Sequence, residues 1–291
     1  RMFFTLYRTL KRLHPDVVHT HLYACLYAFP WFWLSKKRRG VHTIHSDAYK
    51  ELPKIHQKLQ GLLYRRRSVT PVAISDTILE QAERLYHLRH GAVKRIYNAI
   101  DIERFRGPMR QFGQETFTLV QVAAFHPWKN QRLLLEAFAA VFAEDSALRL
   151  VFAGDGPLLP EMQALAEALG VSGAVQFLGA VQDVPGVLQK GDVFVLSSDY
   201  EGLPMSILEA YASAMPVIAT DVGGIGDVLK HGVNGLLVPP SDRAAMAEAI
   251  RMLRQNPALC KQMSDENLRH AARFDIQAAA DAYEQLYFSL E

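Results

Sequence analysis

The sequence predicts an α/β protein of two Rossmann-like domains, each built on a doubly wound parallel sheet, and three observations carry that expectation. Short apolar runs bounded by turn residues alternate with helical patterns along all 291 residues, as successive βα units do. The charge divides the chain in two: residues 1–110 hold 21 Lys+Arg against 8 Asp+Glu, net +13, and residues 111–291 hold 11 against 22, net −11. Between the two parts, residues 104–115 (RFRGPMRQFGQE) carry two glycines and a proline with no periodicity, which suits a linker. The overall charge of +2 therefore averages a basic front half and an acidic back half.

Composition narrows the class further. With 49% hydrophobic and 21% charged residues the chain is neither disordered, collagen-like nor a disulfide scaffold. Its two cysteines, Cys25 and Cys260, lie far apart in different contexts, which favours a reducing, cytoplasmic location. The opening RMFFTLYRTLKRL reads as an amphipathic helix rather than a signal peptide, because its apolar run is short and no small-residue cleavage site follows. The longest apolar stretch, Leu22 to Leu34, has 13 residues, short of the roughly 20 needed to span a bilayer. Because the chain opens at Arg1 inside a helix, the N-terminal domain is expected to be truncated, without its first strand and phosphate-facing loop.

In the first half, strands are expected at Asp16–His19, Val41–Ile44, Val69–Ala73 and Val93–Tyr97, with helical segments between them. In the second half they are expected at Thr118–Ala123, Arg149–Ala153, Val175–Leu178, Val193–Leu196, Val217–Ala219 and Gly235–Val238. Six strands with five connecting segments make one complete nucleotide-binding layer. The boundary is placed after residue 110, the second domain runs from 111 to 275, and a last helix over 276–291, with Ala, Tyr and Leu at helical spacing, is available to cross back onto the first domain.

Open α/β sheets bind ligands beyond the carboxyl ends of their strands, so those loops hold the candidate site. After the strand at 193–196 comes Ser197-Ser198-Asp199-Tyr200-Glu201-Gly202-Leu203-Pro204, leading into the helix MSILEA, with Pro204 suited to the first helical position. Free N–H groups at that helix start favour a phosphate, and Gly202 permits close backbone approach. Glu201 and Glu209 are two carboxylates beside this anion site, suited to accepting hydrogen bonds from sugar hydroxyls, although solvated charges flanking a helix give the same pattern. After the strand at 118–123, Lys129 in Phe125-His126-Pro127-Trp128-Lys129-Asn130 offers a point charge to a diphosphate. Gly154 begins the Gly154-Asp155-Gly156-Pro157 turn, and Gly223-Gly224 opens a further loop that does not match a dinucleotide fingerprint. In the first half His45 follows the strand VHTI, and His19-x-His21 has zinc-like spacing without a convincing third ligand, so no metal is expected.

The E-x7-E pattern Glu201…Glu209 in EGLPMSILE resembles the signature of the retaining, family-4 type of glycosyltransferases (glycosyl transferases group 1), which have the GT-B fold of two Rossmann-like domains facing a cleft. The resemblance runs over essentially the whole chain and is strongest from about 118 to 240. Lys129-Asn130 fits the end of the family's G-R-x4-K-G/N pattern; its beginning differs, with Ala123-Ala124 in place of Gly-Arg, so one expected phosphate-binding cation is missing. The segment at 153–157 resembles the G-x-G-P turn, Gly223-Gly224-Ile225-Gly226-Asp227 the G-G-x-x-E loop with Asp for Glu, and Asn98-Ala99-Ile100-Asp101 the N-G-V-D turn with Ala for Gly. VHTIHS resembles the motif bearing an acceptor-side His, with His45 at the matching position.

The resemblance implies a retaining, metal-independent glycosyltransferase without a cofactor. It would move a sugar from a nucleotide-diphosphate sugar, with UDP the expected nucleotide, to a glycan or lipid-linked acceptor in polysaccharide or lipopolysaccharide biosynthesis. His45 and Glu201 would be catalytic, and Lys129, Gly154, Gly202, Leu203, Pro204 and Glu209 would bind the donor. The first domain would serve the acceptor. Its Trp31-Phe32-Trp33-Leu34, Lys36-Lys37-Arg38-Arg39 and Arg65-Arg66-Arg67 fit peripheral association with an anionic membrane surface, though a buried helix with a solvated basic end fits them too. No nucleic-acid recognition motif accompanies the charge. A sugar-nucleotide epimerase on the same architecture and a non-catalytic nucleotide-binding scaffold are the rival readings; a product on a separate acceptor excludes the first and any turnover excludes the second.

Overall fold

The computed structural model describes residues 2–34, 40–50 and 52–290, and among them are ten strands, all in parallel pairings. They occur where the apolar runs predict them, with ends displaced by one or two residues, the usual uncertainty of an element boundary. The chain divides into two units, residues 1–98 with 277–291 and residues 99–276.

The first unit holds a four-stranded sheet in the order β1 (Val18–His21), β2 (Gly40–Ile44), β3 (Val69–Ala73), β4 (Lys94–Arg95). Helices Lys54–Arg65 and Asp76–Leu85 make the β2–β3 and β3–β4 crossovers, the second started by Ser75, whose side chain accepts from the Ile78 N–H at 3.2 Å. The helix Ile276–Ser289 supplies much of this unit's packing. Its Ala279, Ala282, Tyr283, Leu286 and Tyr287 recur at helical spacing and lie against Val41, Val72 and Ile96.

The second unit is a six-stranded sheet in the order β10 (Leu236–Val238), β9 (Val217–Thr220), β8 (Val193–Leu196), β5 (Phe117–Val122), β6 (Leu148–Ala153), β7 (Val175–Phe177). Counted from its own first strand this is the 3-2-1-4-5-6 order of a dinucleotide-binding layer. Residues of β5, β6 and β8 such as Leu119, Leu150, Val193 and Val195 are fully buried with Leu134 and Phe138 from helix Gln131–Phe142 and Ile250 from helix Arg243–Gln255. Such strands are apolar on both faces because helices cover both sides of the sheet.

One expectation is corrected. Residues 99–110 belong to the second unit rather than the first, and the boundary falls after 98 instead of 110. The segment has the composition of a linker, but Phe105 is buried and the Arg110 guanidinium donates to the carbonyls of Ser213 (2.7 Å), Leu188 (2.9 Å) and Gly191. Five fixed donors on one side chain tie an irregular segment down without secondary structure.

Candidate functional site

In the second sheet the strand order reverses between β5 and β8, because β5, β6 and β7 progress one way and β8, β9 and β10 the other. Ligands of open α/β sheets lie outside the carboxyl ends of the strands at such a switch point. The two loops leaving it are 123–130 and 197–204, and the sequence places Lys129 in one and Glu201 in the other. Lys129 Nζ donates to Glu201 Oε1 at 2.5 Å, and the Ser198 hydroxyl donates to the same oxygen at 2.6 Å. Glu201 is 7% exposed, so its carboxylate sits with two donors in a place that water barely reaches.

Local chemistry explains how the loops hold this geometry. Asn130 has φ +45°, a left-handed conformation that Asn and Gly adopt most readily. That accounts for a Gly or Asn after the lysine in the motif. Its Oδ1 caps helix Gln131–Phe142 by accepting from Leu133 N at 3.2 Å, while its Nδ2 donates to Asp199 Oδ1 at 2.9 Å and so joins the two loops. The Asp199 N–H donates to the Trp128 carbonyl (2.9 Å), and the Ser197 hydroxyl to the carbonyls of Lys129 (3.1 Å) and Asn130 (2.9 Å). Lys129 is thereby held on a backbone fixed from both sides.

The loop after β9 completes the support. Gly224 N donates to Gly202 O at 2.8 Å, and Gly223, at φ +57°, lies so close that a Cβ there would be 1.9 Å from the Glu201 carbonyl oxygen. Any side chain at 223 would displace the Glu201 loop. Gly154, after β6, is constrained in the same way: at φ +149° an added Cβ would meet the Ala123 carbonyl at 2.0 Å, and its N–H donates to Gly179 O at 2.8 Å. Gly154 therefore shapes the loop that leads to Lys129.

Pro204 is the N-cap of helix Met205–Ala212 rather than its first residue, and it offers no side-chain cap to the N–H groups behind it. Gly202, Leu203 and Pro204 are buried. Glu209 is half-buried in that helix; burial pushes its carboxyl pKa up, opposed by the attraction of Arg104. Ser198 and Arg104 are contributors that the motifs did not name, since their roles rest on contacts that only the folded chain makes.

His45 lies in the first unit, just past the carboxyl end of β2, with Nε2 2.8 Å from His21 Nδ1. His19 packs on His21, and His42 lies on the other face of the two strands. Burial is the first cause that holds the His19 ring down to about 4 and the His42 ring down to about 3, with the neighbouring histidines adding to it. Among the described residues no group of three or more His, Cys, Asp or Glu is arranged to hold a metal ion. These depressed values predict acid sensitivity. Both rings bind a proton less readily folded than unfolded, so their contribution is complete above about pH 6.5 and is lost as pH falls towards 4 and 3. For the enclosed His42, lowering the pH from 7 to 5 is expected to cost about 2 kcal/mol. Thermal unfolding of wild type against His42→Asn checks this: the wild-type midpoint should fall more steeply over that interval, and parallel curves would contradict it.

Comparison with known proteins places the chain in a family. Residues 108–270, more than half of the chain, match the sequence profile of glycosyl transferases group 1. The chain belongs to that family. Residues 1–104 match the profile of glycosyltransferase family 4. EpsD of Bacillus subtilis is 38% identical over 208 residues, covering 66% of this chain and 55% of EpsD, so the chain spans about half of that relative's length. The UDP-Gal:α-D-GlcNAc-diphosphoundecaprenol α-1,3-galactosyltransferase of Escherichia coli is 23% identical over 313 residues, covering 98% of this chain and 78% of that enzyme. Among solved structures, Anabaena HepE in complex with UDP has a TM-score of 0.85 at 20% identity, covering 99% of this chain and 82% of HepE. That likeness establishes the GT-B fold for this group 1 family member.

Proposed function

We propose that this family member transfers a sugar, with retention of configuration and without a metal, from a UDP-sugar to a glycan or lipid-linked acceptor in polysaccharide or lipopolysaccharide assembly. The observation that carries the proposal is the Lys129–Glu201–Ser198 cluster at the switch point of the second sheet. The second unit holds the donor. Lys129 spends one of its three N–H donors on Glu201 and keeps two for the diphosphate, and the uncapped start of helix Met205–Ala212 adds backbone donors. Together they stabilise the negative charge that develops as the nucleotide diphosphate leaves, which is the part a metal plays elsewhere.

Glu201, already engaged by two donors, orients the donor sugar through its hydroxyls instead of forming a covalent bond, and Glu209 serves the ribose. With no dedicated nucleophile, the acceptor attacks from the face the diphosphate leaves and a phosphate oxygen takes the acceptor proton. Gly154, Gly202, Leu203 and Pro204 shape the donor loops, and His45 on the first unit hydrogen-bonds a substrate hydroxyl. The galactosyltransferase relative, named for a UDP-Gal donor and a lipid-diphosphate acceptor, and the UDP complex of HepE support these substrate classes. The test is a panel of nucleotide sugars scored by the midpoint of thermal unfolding, since only a ligand that prefers the native state raises it. A UDP-sugar should raise it above the other nucleotides; a panel with no effect overturns the proposal.

The first unit adds an anionic membrane surface as a partner. Helix Met2–Leu13 turns Phe4, 75% exposed, outward with Arg8 and Lys11 at i+4 and i+7, and the exposed Trp33 lies under Arg66, whose guanidinium carbon is 4.5 Å from the ring centroid. Lys36–Arg39 lies outside the described residues. Among the described residues no helix is long and apolar enough to cross a membrane. The protein is expected to float with phosphatidylglycerol vesicles and not with phosphatidylcholine vesicles; equal flotation with both would contradict an electrostatic contact.

A further inference from the structure

The first unit carries a histidine network that the transfer reading leaves unexplained beyond His45. Side chains alternate between the faces of a strand, and β1 and β2 pair in parallel with His19 opposite Val41 and His21 opposite Thr43. This register sorts the polar groups into two sets. Thr20 and His42 share one face, where the Thr20 hydroxyl lies 3.0 Å from His42 Nδ1. His19, His21, Thr43 and His45 share the other, at the carboxyl ends of the two strands.

On that second face every hydrogen bond constrains the next. His19 has both ring nitrogens engaged, Nδ1 with the Tyr287 hydroxyl at 2.7 Å and Nε2 with the Thr43 hydroxyl at 2.8 Å, and Thr43 is 3.0 Å from the Tyr283 hydroxyl. Its ring is therefore fixed by a neighbouring strand and the last helix. The His21 ring packs on it, with centroids 4.3 Å apart and planes inclined by 34°, and points Nδ1 at His45 Nε2, 2.8 Å away. A nitrogen–nitrogen contact of that length is one N–H···N bond, so one ring donates and the other accepts. The state of His21 Nδ1 then dictates whether His45 Nε2 bears the proton, and hence whether His45 Nδ1 is a donor or an acceptor.

We propose that His21 is a positioning residue that fixes the ring plane and tautomer of His45, and thereby how His45 meets a substrate hydroxyl, with Tyr283 and Tyr287 of the last helix holding His19 as the backstop. Its catalytic consequence rests on the transfer reading given above. The hydrogen-bond arrangement does not, because it follows from this unit alone.

The test pairs two readouts on His21→Ala and His21→Asn. Asparagine can place a polar atom near the Nδ1 position and alanine cannot, and His21 is exposed, so neither disturbs the core. Ring 15N shifts of histidine-labelled protein at pH 7 should show one dominant neutral tautomer of His45 in wild type, a mixture in His21→Ala, and the wild-type pattern again in His21→Asn. Unchanged His45 shifts in His21→Ala, or an Asn variant as altered as the Ala variant, overturn the proposal. In transfer assays His21→Ala should lose ~10-fold in kcat with donor KM unchanged, most of it recovered by Asn. A fall in donor affinity instead would also overturn it. If wild type transfers no sugar at all, the transfer reading fails while the 15N shifts still decide the pairing.

Discussion

Glu201→Gln is expected to lower kcat for transfer by about 10²–10³-fold while leaving the unfolding midpoint near the wild-type value. The substitution keeps the shape and an acceptor oxygen for Ser198, and removes the charge that pairs with Lys129. What is lost is interaction with the sugar as it gains positive character on departure of the diphosphate. A group whose attraction grows towards the transition state affects kcat more than KM, so donor KM should move little. Steady-state kinetics with circular dichroism as the folding control reads both. Wild-type kcat in the glutamine variant would remove Glu201 from the chemistry.

Lys129→Ala is expected to weaken UDP binding by about 10–100-fold, the equivalent of losing one hydrogen bond to a charged group at roughly 1.5–3 kcal/mol. The loss has two sources. One phosphate loses its cation, and Glu201 is left buried beside the neutral Ser198 hydroxyl, so a carboxylate faces the anionic ligand unneutralised. Calorimetric titration with UDP measures the effect, and unchanged affinity would contradict the phosphate role. The converse arm uses Ala124, which is exposed and stands where the family has arginine. Ala124→Arg restores a second cation and should tighten UDP binding.

The parts of this site that could be read in the sequence are those specified by local rules. Glu201 and Glu209 stand out because an apolar strand, a turn and a helix start follow one another within a few residues, and Lys129 for the same reason. Strands of the second unit such as β8 are legible because they are apolar on both faces. The support for the site was not legible, because it is made by contacts between distant loops: Ser198 on Glu201, Asn130 on Asp199, Gly223 against the Glu201 carbonyl. A glycine pair looks alike whether it binds a phosphate or makes room for a neighbouring backbone. The same holds at the domain boundary, where the Gly/Pro-rich stretch conceals an arginine that anchors it to the second unit. In His19-x-His21 the spacing suggests a metal, and what the rings meet is Tyr287, Thr43 and His45, one of them 268 residues away.

On the proposed function, the donor binds at the carboxyl ends of β5 and β8 in the second unit. Backbone hydrogen exchange of the protein with and without saturating UDP-glucose tests it most directly, because it locates the ligand without assuming a reaction. Protection is predicted in residues 123–130, 153–157 and 197–206, with little change in the loops at the opposite end of that sheet. Protection confined to other segments, or none at a concentration that saturates binding, would contradict donor binding at this switch point.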